Sequence, residues 1–301
     1  MTDARAHTEG NGDRPDGPDA AAAPPGAPPA GRRRTPWPLA VVAILFVVVP
    51  FLTWYWTWFG RTLSDEEIEK YLREGRPRHT QHALSQVAER IEKRGAGAGR
   101  WNAQVVGLAS SPSPDVRMTA AWVMGVEHTS EEFRAALLRL VEDPEPIVRR
   151  NAALALVRFG DARCRPELLA MLRPYAVVAP TEGTALTALT ANSHVKRESL
   201  LLKFTNPAGE TAEVRSPLPG TVGRASVKDG ERFEAGRELF VLAPDEEQVT
   251  DALTGLYYLG DREDLPEVER YARGVEGMSD ELKAKAARTA EAIKRRSEQN
   301  R

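Results

Sequence analysis

The sequence predicts an α-solenoid, a stack of helix pairs, interrupted by a small β-rich module and preceded by a membrane-crossing helix. Three observations carry this prediction. Pro114-Asp115-Val116-Arg117 and Pro146-Ile147-Val148-Arg149 are one phrase written twice, and Val116/Val148, Arg117/Arg149, Ala120/Ala152 and Ala121/Ala153 share an offset of 32 residues. A fixed period of that size marks a stacked helical array, which is a binding scaffold more often than a reaction centre. Residues 176–243 abandon helical periodicity for short apolar strands between Gly and Pro turns. Residues 35–60 contain no charged side chain.

The chain begins with a tail, 1–36, without apolar periodicity; its Ala/Pro-rich stretch cannot bury a core and is expected to be disordered. Residues 37–59 follow. As a helix they extend roughly 34 Å, enough to cross a bilayer core of about 30 Å. Trp37 marks one interface, and Trp54, Tyr55, Trp56 and Trp58 mark the other. The Trp-rich exit offers no small-residue cleavage site, which favours a retained anchor over a signal peptide. Arg32-Arg33-Arg34 abuts the first end and only Arg61 is as close to the second. Positive-inside then places residues 61–301 outside the cytoplasm, in the periplasm of a bacterial inner membrane.

The first helical part spans 62–174. Ser64 and Glu67 form a capping box for a helix with Ile68, Tyr71 and Leu72 on its apolar face. Leu84, Val87, Ala88 and Ile91 make the buried stripe of a helix over 79–93, and glycines at 95, 97 and 99 break it. A short helix over 101–109 precedes the repeated phrases. Thr129 with Glu132 is expected to cap the helix carrying Phe133, Leu137, Leu138 and Val141. The second helical part, 245–297, matches the first: Ala152, Leu156, Gly160, Asp161, Pro166 and Glu167 recur as Ala252, Leu256, Gly260, Asp261, Pro266 and Glu267, an offset of 100. Removing one 32-residue period leaves an insertion of 68 residues. A last helix over 279–296, with Leu282, Ala286, Ala290 and Ile293 on one face, closes the array.

The insertion is itself a duplication. Residues 178–184 match 215–221 at an offset of 37, and Val195 and Leu201 match Phe233 and Leu239 at 38. Two matching halves joined by a hairpin predict a pseudo-twofold β-sandwich.

The repeated phrases resemble HEAT repeats, particularly the short type also found in phycobilisome lyases. That resemblance implies antiparallel helix pairs, with the Arg position (Arg117, Arg149) bonding between layers. It does not imply lyase activity, because the repeat serves many unrelated scaffolds. Ser216-Pro217, Gly220, Val222, Val227, Asp229-Gly230, Phe233, Gly236 and Leu239 resemble the signature of the biotinyl/lipoyl domain. The resemblance implies a modified lysine on the central hairpin, eight residues before Pro217, where this chain has Gly209 in Asn206-Pro207-Ala208-Gly209-Glu210. Covalent biotin or lipoate needs a lysine amine there, so no cofactor is expected. Unmodified domains of this kind are typical of membrane-fusion, or periplasmic adaptor, proteins, which carry a long coiled-coil hairpin at this point; here the hairpin covers only 205–211.

Composition narrows the function further. Of 301 residues, 41 are basic and 43 acidic, a net charge of -2 that argues against nucleic acid as a main partner. The single Cys164 excludes an intrachain disulfide and a four-cysteine zinc site. Arg163 and Arg165 flank this thiol and would favour its thiolate, yet no general base can be named beside it, so it reads as a bystander thiol. His79 and His82 are an i, i+3 pair without a third ligand, and His128 and His194 read as surface residues. Lys294-Arg295-Arg296 suits a helix C-terminus. No phosphate loop, nucleophile elbow or zinc spacing is present, so no catalytic or metal residue and no small-molecule substrate is expected. The sequence thus points to a non-enzymatic, membrane-anchored protein-interaction scaffold of the cell envelope, accessory to a membrane complex. The alternative is a periplasmic adaptor of a secretion or efflux system.

Overall fold

The computed structural model describes residues 37, 41–42, 44–51, 62–93 and 98–299. It divides into two units, 1–61 and 62–301. In the first, the described residues are helical and their large apolar side chains, including Val42, Phe46 and Val47, are exposed. No helix among the described residues is long and apolar enough to cross a membrane. The tail 1–36, the aromatic group Trp54, Tyr55, Trp56 and Trp58, the remainder of the 37–59 span and residues 94–97 of the glycine break lie outside the described residues.

In the second unit, helices α1 (Asp65–Glu74), α2 (Pro77–Glu92), α3 (Asn102–Leu108), α4 (Pro114–Val126), α5 (Glu131–Leu140), α6 (Pro146–Arg158) and α7 (Arg165–Met171) precede the β segment. Helices α8 (Glu246–Leu259), α9 (Leu265–Arg273) and α10 (Asp280–Gln299) follow it. Their starts are written locally. Ser64 Oγ accepts from Glu67 N at 3.3 Å while Glu67 Oε2 accepts from Ser64 N at 2.9 Å. Pro77, Pro114 and Pro146 occupy the first helical position, where a missing N–H costs nothing. The cap of α5 is Ser130, whose Oγ accepts from Phe133 N at 3.3 Å, and not the expected Thr129. A cap must reach an amide two or three residues on; Thr129 Oγ1 instead donates to Glu127 at 2.9 Å.

Helices α2, α4, α6, α8 and α10 pack one on the next in a single layer. One hydrophobic core runs through both helical parts, from Leu63 to Leu172 and on from Val249 to Ile293, so the β segment does not divide it. Ala120, Ala121, Ala152, Ala153 and Ala252 are fully buried where neighbouring helices meet. A Cβ on Gly125 of α4 would lie 2.8 Å from Ala155 Cβ and 3.0 Å from its Cα, on α6. The helices are therefore as close as their backbones allow at that crossing.

The β segment has its own core of fourteen buried residues, including Val177, Leu202, Phe204, Phe233 and Phe240. Strands β1 (Tyr175–Val178), β2 (Gly183–Ala188), β3 (His194–Val195), β4 (Leu200–Thr205), β5 (Thr211–Arg215), β6 (Gly220–Ala225), β7 (Arg232–Phe233) and β8 (Glu238–Ala243) form two antiparallel sheets, ordered β1-β8-β6-β3 and β5-β4-β2-β7. Exchanging β1–β4 for β5–β8 converts one order into the other. Pairing obeys the same symmetry: Tyr175 faces Leu242 as Ala212 faces Phe204, at the offsets of 37 and 38 seen in the sequence. The hairpin 206–210 is therefore the counterpart of the neck that joins the β segment to the helices.

Replacing Gly125 with alanine sets overpacking against helix propensity. The first costs about 1–3 kcal/mol and the second returns about 1 kcal/mol. Gly125→Ala should lower the urea midpoint, whereas Gly107→Ala, with open space around its Cα, should raise it.

Candidate functional site

The repeat places equivalent side chains in rows that run across the helices. Trp122, Leu154 and Thr254 occupy one row at offsets of 32 and 100; Val126, Arg158 and Tyr258 occupy the next, and Thr119, Asn151 and Asp251 the third. All of these except Thr119 and Val126 line a groove of about 390 Å³ over α4, α6 and α8. Gly125, Ala155 and Gly255 contribute the small side of its lining, with Trp122 on α4 and Tyr258 on α8 at its two ends. Trp122 is 44% exposed and Tyr258 62% exposed, so both rings face outward over the groove. Gly255 is needed here: its Cβ would come within 2.9 Å of both Leu168 and Val157. A smaller recess continues the surface onto α10, lined by Tyr257, Tyr258, Lys285 and Arg288.

Between the helix layers, arginines meet carboxylates. Arg117 grips Asp143 with two hydrogen bonds of 2.7 and 2.8 Å and donates to the Ser111 carbonyl. Arg149 donates to the Asp143 carbonyl at 2.8 Å and to Glu167 at 3.2 Å. Arg134 and Arg163 both bind Asp161, and Arg165 binds Asp264 at 2.8 and 3.1 Å. Asp161 also accepts from Arg163 N, as its repeat mate Asp261 accepts from Glu263 N. Arg117 and Arg149 are thus occupied in joining layers and take no part in the groove.

At the neck, Arg150 is buried and donates to Gln248, which in turn donates to the Met171 carbonyl at 2.6 Å. Burial pulls the Arg150 guanidinium down to about 10, against the attraction of Glu167. Tyr271 Oη donates to the Leu172 carbonyl at 2.7 Å, and Arg173 to Glu267 at 2.8 Å. The β segment also reaches back to the helices through Arg197, which donates to Asp115 at the start of α4.

The other sequence candidates do not converge. Gly209 lies in the β4–β5 turn with φ +81, its N–H donating to the Asn206 carbonyl. Lys203 sits on β4 and pairs with Glu213. His79 stacks on Tyr71 and contacts Glu74 at 3.2 Å, and His194 meets Thr221. Among the described residues no three His, Cys, Asp or Glu side chains gather as a metal site. Of the basic helix end, Lys294 pairs with Glu269, and Arg296 donates to the carbonyls of Tyr257 and Gly260 near the end of α8. Cys164 sits where its arginine neighbours do not activate it. It is fully buried, and burial and Asp161 push its thiol up to about 12, while Arg163 and Arg165 spend their charge on Asp161 and Asp264.

Residues 104–182 match the family of HEAT repeats. That stretch covers α3 to α7 and runs past β1. Among the curated proteins compared, none matches. A solved structure of a single-chain, multi-domain long-chain acyl-CoA carboxylase is similar at 20% identity over 34% of this chain and 10% of that one, with a TM-score of 0.23. A likeness that slight carries no argument.

Burial raises Asp143, but Arg117's hydrogen bonds, the Glu145 N–H and the nearby charge of Arg149 outweigh it, so its carboxyl lies below the usual range. Asp161 is held lower still, by Arg163 first and then Arg134 against burial. A lowered folded pKa contributes stability above the unfolded value of about 3.9 that is lost as pH falls through the folded value. Melting temperature should therefore drop below about pH 4, and Asp143→Asn should cost about 3 kcal/mol at pH 7 in urea titrations and flatten that acid dependence. Cys164 should resist thiol reagents at pH 8 in the folded chain and react at once in denaturant; rapid labelling under native conditions would contradict its burial.

Proposed function

We propose that this chain is a non-enzymatic protein-interaction scaffold held at a membrane by residues 37–59. The groove over α4, α6 and α8 carries the reading. Its Trp122 and Tyr258 are exposed, Tyr258 edge-on to Tyr257, whereas the repeated phrase residues Arg117 and Arg149 are used up inside. A large aromatic side chain facing water beside small residues is the form of an anchor pocket for a partner. HEAT repeats supply such surfaces across unrelated assemblies. The apolar run 37–59, the arginines at 32–34 and the aromatic residues flanking the run support an inner-membrane anchor with residues 61–301 in the periplasm.

A second reading is a periplasmic adaptor. The twofold strand order of the β segment and its duplicated sequence support a biotinyl/lipoyl-like module, and Gly209 in place of lysine supports an unmodified one. The five-residue turn 206–210 offers no coiled coil for docking to a channel, which makes the scaffold the better account.

Partner proteins recovered with the full chain in mild detergent should be lost from a Trp122→Ala, Tyr258→Ala double variant whose melting temperature is unchanged. Alkaline carbonate should leave the full chain in the membrane pellet and release a chain lacking residues 37–59. Recovery of the chain alone at native expression, or full release by carbonate, would sink the corresponding half of the reading. Cross-linking into closed rings through the β segment would favour the adaptor.

A further inference from the structure

The groove has a charge as well as a shape. Arg158, at the end of α6, makes one long hydrogen bond of 3.4 Å to the Gly125 carbonyl. Among the described residues, neither it nor Lys285 or Arg288 of α10 has a carboxylate within 4.0 Å, while the interlayer arginines 117, 134, 149 and 165 all do. The groove and its continuation are lined by these three cations and one anion, Asp251, whose carboxyl burial and the nearby Glu247 push up against the pull of Lys285. A local excess of positive charge therefore sits beside exposed aromatic side chains in a chain whose net charge is -2.

Resting on the scaffold reading, we propose that the groove takes an acidic, aliphatic segment of a partner protein. The segment lies along the rows, with apolar side chains against Trp122 and Tyr258 and carboxylates on Arg158, Lys285 and Arg288. Helix spacings of about 8–10 Å put the path from α4 to α10 at roughly 24–30 Å, which an extended chain of about seven to nine residues covers. Asn151 donates to the Ile147 carbonyl at 2.9 Å, leaving its own carbonyl oxygen to accept a backbone N–H from such a segment. A second copy of this chain is a poor occupant, because a twofold contact between two such grooves opposes like charges.

The test is site-specific photo-cross-linking in the full chain in native membranes, with p-benzoyl-phenylalanine in place of Trp122 and the attached peptide identified by mass spectrometry. The expected adduct is a partner segment with net negative charge and aliphatic residues within about nine positions of the attachment point. Arg158→Gln and Arg288→Gln should each lower the yield by about tenfold and Arg158→Lys much less, with melting temperatures unchanged. An adduct to a neutral or basic protein segment overturns the charge assignment and leaves the scaffold reading standing. An adduct to a second copy or to lipid overturns the proposal. If nothing is captured at 122 while the same residue in place of Tyr175 captures a protein, the groove is not the site; if neither position captures one, the scaffold reading falls too.

Discussion

Close approach between helices is the constraint on which the rest of this structure depends. Alanines at 120, 121, 152, 153 and 252 are buried at the contacts, and Gly125 leaves no room for one more carbon against Ala155. Small side chains let successive helices approach, and the larger Met124, Leu137, Leu156 and Leu256 then fill the space between layers. Each of these, fully buried, contributes about 1.5–3 kcal/mol through water released from apolar surface. The polar groups at the layer boundary follow from that geometry. Arg117, Arg134, Arg149 and Arg165 reach between elements to carboxylates and carbonyls, so the loops are held by directed bonds while the helices are held by packing.

The same packing explains how the array tolerates a large insertion. Strands β1 and β8 pair side by side, Tyr175 opposite Leu242, so the β segment leaves and returns at nearly one point. It needs no stretching of the helices on either side. Arg150, Gln248 and the Met171 carbonyl then tie α6, α7 and α8 together, with Tyr271 and Arg270 both donating to Leu172. Two cores, one helical and one β, form without sharing residues. The twofold order of the sheets puts the turn at Gly209 at the position symmetric to this neck.

Local signals in the chain were legible where physics is local. The Ser64 capping box, the prolines at helix starts and the 32-residue phrase each depend on neighbours in sequence, and each appears as a cap, a start or a repeat. Caps failed once, at Ser130, because adjacent Thr and Ser offer the same chemistry and only backbone direction chooses between them. Cys164 shows the limit of reading neighbours alone. Its neighbours Arg163 and Arg165 look like thiolate partners in one dimension, but Asp161 and Asp264, brought in by folding, take both charges.

The groove belongs to this second class. Its residues come from three helices separated by up to 136 positions, and Trp122 lies on a helix so apolar all round that periodicity does not mark which face is outward. By itself the sequence determined the repeat, the split of the array by 68 residues and the duplication inside that insertion, because all three are internal comparisons of the chain with itself. Only the tertiary structure decided which carboxylates Arg117, Arg134, Arg149 and Arg165 meet and that Arg158 turns to the groove, since that depends on where distant groups arrive. It also decided that Trp122 and Tyr258 share a groove, because their rows align only once α8 has packed on α6 across the insertion.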